Sequence, residues 1–111
     1  MSRIYISGAI TGTTDYMKRF AKAQVELTAL GYSVINPAAV NAMLPENTTW
    51  EEYMKMSMTM LEIADGIYML DGWQDSKGAN MELARAKELG LTVYYQTSEW
   101  KQRLLSAFVT R

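Results

Sequence analysis

The chain has 111 residues, of which 49% are hydrophobic and 21% charged, and its formal net charge is −1. This size and composition predict one small globular domain, spanning residues 1–111, with a core of its own. No cluster of Lys and Arg stands out, so nucleic acid is not an expected partner. Because the sequence contains neither Cys nor His, thiol nucleophiles, disulfides and the commonest zinc ligands are excluded. We therefore expect no metal and no cofactor, and acid–base chemistry must use Asp, Glu, Tyr or Lys.

The sequence also carries no sign of a membrane segment. No apolar run approaches the roughly 20 residues of a membrane span. The N-terminus enters a strand pattern directly and lacks the shape of a signal peptide. These features predict a cytoplasmic protein that does not interact with a membrane.

Short apolar segments alternate with amphipathic ones along the chain. Strands are predicted at residues 3–7, 32–36, 66–70 and 91–95. Helices are predicted to end near Leu30, Ala64, Leu89 and Phe108, with one further helical turn at residues 38–43. Asp15 and the two threonines before it are candidates for the first helix start, and Thr97 for the last. Residues 48–51 (Thr-Thr-Trp-Glu) match a capping box and predict the start of the second long helix.

This alternation predicts an α/β fold, a small doubly wound parallel sheet with helices on both faces. Right-handed crossovers favour the flavodoxin-like strand order 2-1-3-4. In such folds ligands bind outside the carboxyl ends of the strands, where the order of connections reverses. Here that point lies between strands 1 and 3, next to the loops 8–12 and 71–78. We therefore expect the functional site between these two loops.

The first of these loops, Gly8 to Gly12, joins a strand to the N-terminus of a helix. Free backbone N–H groups and the helix dipole favour anions at such a place. The pattern lacks the third glycine of a dinucleotide fingerprint and the lysine of a P-loop. The alternative interpretation is a tight turn between strand and helix.

The second loop leads into the helix predicted at residues 79–89, where Glu82 falls within the apolar arc. At about 100° per residue, Ala79, Leu83 and Ala86 share this arc, whereas Arg85 points away from it. A carboxylate on the inward face costs desolvation free energy unless it is paired, and such groups tend to have a raised pKa and a function. The alternative is that Glu82 lies at the edge of the arc and reaches water or pairs with Arg85.

The second long helix is apolar over most of its circumference, so it is expected to pack on two sides. One side would contact the sheet. The other is a candidate homodimer surface, and its methionines suit such a contact. The alternative is that a loop or the C-terminal segment covers it. Ser57 lies opposite the polar stripe of this helix, where a buried Ser usually bonds back to the i−4 carbonyl.

Three segments resemble the nucleoside 2-deoxyribosyltransferase superfamily. They are IYISGAITG (residues 4–12), ADGIYMLDGW (64–73) and SKGANMELARA (76–86), and the most specific part is the pattern G-W-x-x-S-x-G-A-x-x-E. The closest resemblance is to the small, largely uncharacterised branch found in bacteria and phages. Members of the superfamily include nucleoside deoxyribosyltransferases and deoxynucleoside monophosphate N-glycosidases, which cleave the bond between deoxyribose and base. The resemblance therefore implies a nucleoside or nucleotide as the small-molecule partner.

The resemblance also implies roles for individual residues. Glu82 matches the family nucleophile, and Tyr5 matches a tyrosine near the nucleophile and the sugar. Ser76 matches a position that is Ser in the monophosphate glycosidases. Together with the N–H groups of Gly78 and Ala79, it is a candidate to receive a 5′-phosphate or a sugar hydroxyl. The remaining substrate-binding candidates are Gly8, Ala9, Ile10, Thr11, Gly12, Asp71, Gly72 and Trp73, the last for base stacking or, alternatively, for packing at the loop.

Two positions depart from the family pattern. Active members carry an Asp where this chain has Ser57, and Ser is not a useful acid near neutral pH. The monophosphate glycosidases carry a phosphate-binding Arg where this chain has Thr11. Either another group (Asp71, Asp75 or Tyr5) supplies the proton, or the chain has kept the pocket and lost the reaction.

Three functional hypotheses follow from the sequence. The first is an N-glycosidase or deoxyribosyltransferase with Glu82 as nucleophile. The second is a non-catalytic module that binds a nucleotide-like ligand in the same crevice. The third is a structural or interaction protein that acts through its Met-rich dimer surface. Flavin binding is suggested by the fold alone and is discounted.

Overall fold

Four parallel strands form the central sheet of the computed structural model, which describes residues 2–96. The strands are β1 (Arg3–Ser7), β2 (Ser33–Ile35), β3 (Gly66–Met69) and β4 (Thr92–Tyr95), in the order β2-β1-β3-β4. Every pairing is parallel, so the predicted doubly wound α/β fold is confirmed. The helix predicted at residues 98–108, with its cap Thr97, lies outside the described residues.

The helices follow the predicted order along the chain. They are α1 (Tyr16–Ala29), α2 (Pro37–Asn41), α3 (Trp50–Glu62) and α4 (Lys77–Glu88), with one 3-10 turn (Trp73–Asp75) before α4. Within residues 2–96, none of them has the length and apolar character needed to cross a bilayer.

The sheet carries a separate apolar core on each face because successive side chains of a strand point to opposite sides. From β1, Ile4 and Ile6 pack with Phe20 and other residues of α1. Tyr5 points the other way, into a core built mainly by α3 and α4. These parallel strands are therefore covered on both faces, as their continuous apolar sequences predict.

The carboxyl ends of β1 and β3 lie side by side at the point where the connections diverge. Ser7, the last residue of β1, is paired with Met69, the last residue of β3. The chain leaves β1 towards α1 on one face and leaves β3 towards α4 on the other face. The loops after these two strands therefore flank the switch point of the sheet.

The capping box of α3 is one residue later than the sequence pattern predicted. Thr49 is the N-cap: its Oγ1 accepts from the Glu52 N–H at 3.1 Å, and Glu52 Oε1 accepts from the Thr49 N–H at 2.9 Å. The predicted pair, Thr48 and Glu51, fits the same spacing. Thr48 instead donates its hydroxyl to the Pro45 carbonyl at 2.6 Å, within the preceding turn.

Helix α4 begins two residues before its predicted start, because Ser76 caps it. The Ser76 Oγ accepts a hydrogen bond from the Ala79 N–H at 3.1 Å. The cap places Lys77 and Gly78 in the first turn of the helix rather than in the loop. The N-terminus of α4 is thereby fixed beside the switch point.

Candidate active site

Glu82 lies on the face of α4 that packs against the sheet. Its side chain is 7% exposed, and it shares this face with the buried Ala79, Leu83 and Ala86. Arg85 points away and pairs with Glu88 at 3.4 Å, so it does not neutralise Glu82. The helical pattern therefore correctly placed a carboxyl group inside the protein.

Two hydroxyl groups of β1 hold the Glu82 carboxyl group. The Tyr5 hydroxyl donates to Oε2 at 2.6 Å, and the Ser7 hydroxyl donates to Oε1 at 2.6 Å. Tyr5 and Ser7 are two residues apart on one strand, so both point to the α4 face of the sheet. Distances of this length are typical of a hydroxyl bound to an ionised carboxylate. The site therefore offers two donors that stabilise the charged form of Glu82.

Burial and hydrogen bonding act in opposite directions on the Glu82 carboxyl. Burial raises its pKa above the ordinary value, and the hydroxyls of Ser7, Tyr5 and Ser57 offset part of that shift. Burial and the nearby Glu82 raise the pKa of Tyr5 well above its ordinary value. Tyr5 consequently keeps its proton and remains a donor to Glu82. The arrangement has one ionisable carboxyl that titrates higher than usual beside a phenol that does not titrate near neutral pH.

Ser57 is the third hydroxyl near this carboxyl. It is 4% exposed on α3, and it is close enough to lower the pKa of both Glu82 and Tyr5. Among the hydrogen bonds of residues 2–96, Ser57 does not donate to its own i−4 carbonyl, that of Tyr53, whereas Thr59 on the same helix does donate to the Lys55 carbonyl at 2.9 Å. Ser57 is therefore turned towards the Glu82 site, at the position where the resemblance implies an Asp.

A crevice of about 780 Å³ opens at the carboxyl end of the sheet, and Glu82 and Ser57 both line it. Six other candidates from the sequence also line it: Gly8, Ile10, Thr11, Ser76, Gly78 and Ala79. Tyr5 is fully buried, and it acts on the crevice through the hydrogen bond that its hydroxyl donates to Glu82. The volume lies in the range of small-molecule sites in proteins. The structure thus brings most of the predicted site residues to one cavity.

The structure does not bring the other candidates into the lining of this crevice. Trp73 packs against the Tyr95 ring, with centroids 6.0 Å apart, and against the core beneath α4. The Asp71 N–H donates to Gln96 Oε1 at 2.9 Å, on the β4 side of the loop. The Ala9 carbonyl accepts from Arg19 at 2.8 Å. Gly72 and Gly12 both have a positive φ, which suits them to turning the chain.

Several residues of the crevice were missed by the sequence reasoning. The aromatic lining comes from Tyr16, Trp50 and Tyr53 rather than from Trp73. Asn41 of α2 also lines it, and within the described residues its Oδ1 is buried with no hydrogen-bond partner. The sequence signal for Ser7 was its spacing of two from Tyr5. Trp50 and Tyr53 lie on a helix that is apolar over most of its circumference, so the sequence did not indicate which side of this helix faces a cavity.

Comparison with known proteins places the chain in a family. The family described as a domain of unknown function, DUF4406, matches residues 2–95. The chain belongs to the DUF4406 family. No curated protein matches its sequence.

The solved structures that are similar to this DUF4406 chain include two enzymes. One is a 2-deoxyribosyltransferase from the psychrotolerant bacterium Bacillus psychrosaccharolyticus, with a TM-score of 0.67 and 23% identity over 88% of this chain and 75% of that one. The other is the CMP N-glycosidase BcmB of Clostridium botulinum, with a TM-score of 0.59 and 17% identity over 84% and 69%. These likenesses confirm the predicted nucleoside 2-deoxyribosyltransferase-like fold.

Charge is unevenly distributed around the crevice of this DUF4406 domain. As far as the described chain goes, its lining holds three carboxyl groups, those of Glu46, Asp75 and Glu82, and one ammonium group, that of Lys77. The Lys77 Nζ lies 4.9 Å from the centroid of the Trp50 ring. A cation over an indole face is a favourable contact. The cavity therefore combines an excess of carboxyl groups with aromatic surface.

Proposed function

We propose that the protein cleaves or exchanges the base of a nucleoside or nucleoside 5′-monophosphate, with the Glu82 carboxylate as nucleophile. The observation that carries this proposal is a buried carboxyl group that lines a cavity of small-molecule size and is held through both oxygens. Cleavage of an N-glycosidic bond develops positive charge at the anomeric carbon, and a carboxylate can trap that carbon as a glycosyl ester. Water or a second base would then release the sugar from Glu82.

The surroundings of Glu82 suit a nucleophile rather than a merely tolerated core carboxyl. Each carboxylate oxygen accepts one hydroxyl and keeps a further lone-pair site for the sugar. Tyr5 and Ser7 fix the orientation of the carboxylate, and a fixed orientation lowers the entropic cost of attack. The names of the two solved relatives, a deoxyribosyltransferase and an N-glycosidase, support this chemistry on the same fold.

The loop after β1 and the start of α4 are the proposed positions for the sugar and its 5′ end. Gly8, Thr11 and Ser76 line the crevice there, and Gly78 lets the backbone of the first helical turn approach it closely. A Cβ at residue 78 would lie 3.2 Å from the Met54 sulfur. The predicted substrate-binding roles of Ala9, Gly12, Asp71, Gly72 and Trp73 stay predictions, although these residues are not part of the described lining of the crevice.

A second candidate function is binding of the same ligands without turnover. The observation that favours it is Ser57, a buried hydroxyl beside Glu82 where the resemblance implies a carboxyl group. Loss of one general acid or base typically lowers a rate by about 10²–10⁴-fold. A pocket that has lost this group could persist as a ligand sensor.

We propose a homodimer or a higher homo-oligomer as the assembly. Met56 of α3 and Ile63, the C-cap of this helix, are 39% and 56% exposed. Apolar side chains of this size along one helix are typical of a subunit contact. Size-exclusion chromatography with light scattering tests this: a monomer at micromolar concentration contradicts it.

The test of the proposed reaction is a base-release assay. The purified protein is incubated with ribo- and deoxynucleosides and their 5′-monophosphates, with neutral and positively charged bases, with and without an acceptor base. The expected result is release that disappears in Glu82→Gln. The matched control is Glu88→Gln on the solvent face of the same helix, which should retain full activity because the exposed Glu88 pairs with Arg85 and does not line the crevice as the described residues form it.

Two other outcomes of this assay would lead to a different functional assignment. Release from Ser57→Asp but not from the native protein would indicate a pocket that has lost its catalytic acid. No release from either protein would overturn the proposed reaction. Thermal stabilisation by one of the same ligands would then establish the binding function.

A further inference from the structure

Among the described residues, no acidic side chain makes a hydrogen bond to Glu82. Of the groups that contact Glu82, Tyr5 and Ser7 are hydroxyl donors that already bind its two oxygens. Ser57 is also a hydroxyl, and an alkyl hydroxyl does not act as an acid near neutral pH. Burial raises the pKa of Tyr5 well above its ordinary value, which removes the phenol from this role as well.

The two other carboxyl groups of the described lining are exposed, whereas that of Glu82 is buried. Glu46 and Asp75 are exposed side chains, Glu46 between α2 and α3 and Asp75 in the 3-10 turn before α4. Within residues 2–96 neither makes a hydrogen bond to Glu82, whose two oxygens accept from Tyr5 and Ser7 and which has the Ser57 hydroxyl nearby. A neutral purine or pyrimidine is a poor leaving group unless it is protonated as the bond breaks, and such assistance is worth about 10²–10⁴ in rate.

The charge and surface of the crevice favour a cationic group. Its described lining carries three carboxyl groups against one ammonium group. Tyr16, Trp50 and Tyr53 supply aromatic side chains, and the Trp50 ring already contacts one cation, the Lys77 Nζ at 4.9 Å from its centroid. A flat, positively charged heterocycle would stack on such a face and gain from the neighbouring carboxylates.

We infer that the preferred substrates are N-glycosides whose base carries a fixed positive charge, such as pyridinium ribosides. The inference rests on the proposed glycosidic cleavage and narrows its substrate class. It follows from three features taken together: a buried carboxylate nucleophile, no acidic side chain bonded to it within residues 2–96, and an aromatic crevice rich in carboxyl groups. A base of this kind leaves as a neutral molecule, so the missing acid is not needed.

The reaction balances without any further reagent. An oxygen of the Glu82 carboxylate forms a bond to the anomeric carbon as the bond from that carbon to the ring nitrogen breaks. The bonding electron pair stays on the nitrogen, which neutralises the pyridinium charge. Water then attacks the glycosyl ester, giving the free sugar, the Glu82 carboxylate and one proton released to solvent.

The test compares substrates that differ in charge but scarcely in shape. The probes are nicotinamide riboside and its 2-deoxy counterpart; the matched control is dihydronicotinamide riboside, which is neutral and whose base is a poor leaving group. Uridine, adenosine and their deoxy forms represent neutral bases. Base release is measured by liquid chromatography, with spontaneous hydrolysis subtracted and Glu82→Gln as the inactive variant.

The expected result is a kcat/KM at least about 10²-fold higher for a pyridinium substrate than for the neutral nucleosides, with no release from the dihydro compound. Glu82-dependent release of neutral bases at equal or higher kcat/KM would overturn the inference and leave the proposed reaction standing. No release from any substrate would overturn both.

A variant provides a second readout. Ser57→Asp places a carboxyl beside Glu82, where two close carboxyl groups share a proton and one of them becomes an acid near neutral pH. In this variant the ratio of kcat/KM for pyridinium substrates to kcat/KM for neutral nucleosides should fall by about 10²-fold, mainly because kcat on neutral nucleosides rises. An unchanged preference in a folded variant would contradict the inference. If the variant does not fold, the comparison of substrates with the native protein still decides the question.

Discussion

Tyr5 and Glu82 are 77 residues apart in the chain and are joined by a 2.6 Å hydrogen bond. The phenol comes from the middle of β1 and the carboxyl from the inner face of α4, and both are buried, at 0% and 7% exposure. The contact exists only when the strand and the helix are both in place. The same two side chains belong to the buried core and to the candidate active site. Substitutions at this pair should therefore change both the free energy of unfolding and the activity.

We expect Glu82→Gln to stabilise the protein at neutral pH by about 1–3 kcal/mol, the cost of burying an imperfectly compensated polar group. Burial raises the pKa of Glu82 in the folded state above the ordinary value of 4.5. The folded state therefore binds more protons than the unfolded state between these two values, and native stability falls as the pH rises through this window. The amide has no such titration and can still pair with the hydroxyls of Tyr5 and Ser7.

Urea unfolding of the native protein and Glu82→Gln, at a series of pH values from 4 upwards, measures this effect. The difference in free energy of unfolding should grow with pH from about 4.5 and level off above the folded pKa. A constant difference across the series would mean that Glu82 titrates as it does in the unfolded chain.

Tyr5→Phe should move the acid limb of the pH–activity profile to higher pH. The Tyr5 hydrogen bond lowers the pKa of Glu82 against the larger effect of burial, so its removal leaves the carboxyl with a still higher pKa. More of the nucleophile is then protonated at a given acidic pH, and activity recovers as the pH is raised. The profile of kcat/KM against pH is the measurement.

The control for this variant is Tyr68→Phe. Tyr68 lies on β3, on the opposite face of the sheet, where it packs against the core beneath α1. The Tyr68→Phe variant loses a half-buried phenol hydroxyl that lies on the other face of the sheet from Glu82. An equal shift of the acid limb in both variants would show that Tyr5 does not act through Glu82.

Ser7→Ala and Tyr5→Phe should be non-additive in their effect on stability. Their hydroxyls bind the two oxygens of one carboxyl, each at 2.6 Å, so loss of one donor changes the charge that the other must stabilise. A double-mutant cycle from denaturant unfolding should give a coupling free energy of about 0.5–3 kcal/mol. A coupling of zero, within error, would show that the two bonds are independent.

The sequence predicted the sheet and the inward carboxyl because both depend on local periodicity. Alternation of short apolar strands with 3.6-residue stripes was enough to order the elements, and the same stripe placed Glu82 on the inner face of α4. Contacts between residues that are distant in the sequence could not be predicted from these local patterns. Ser7 became a partner of Glu82 because β1 and α4 pack together, and Trp73 joined the core beneath α4 instead of the crevice.

The exact start of α3 shows why boundaries were harder to predict than elements. Thr48 and Thr49 are each followed three residues later by Glu, so the sequence offered two equivalent capping boxes. The preceding turn decides between them, because it engages the Thr48 hydroxyl with the Pro45 carbonyl and leaves Thr49 to cap. A contact outside the motif therefore determines which copy of the motif is used.

This competition is testable with two matched substitutions. Thr49→Ala removes the side chain that accepts from the Glu52 N–H at 3.1 Å, and loss of an N-cap costs about 1 kcal/mol of folding free energy. Thr48→Ala removes only an exposed hydroxyl bond within a turn, so its cost should be smaller, about 0.5 kcal/mol or less. Thermal and urea unfolding of the two variants side by side measure the difference. If Thr48→Ala proved the more destabilising, the helix would begin at the earlier threonine in solution, and the first turn of α3, which carries Trp50 into the crevice, would be shifted by one residue.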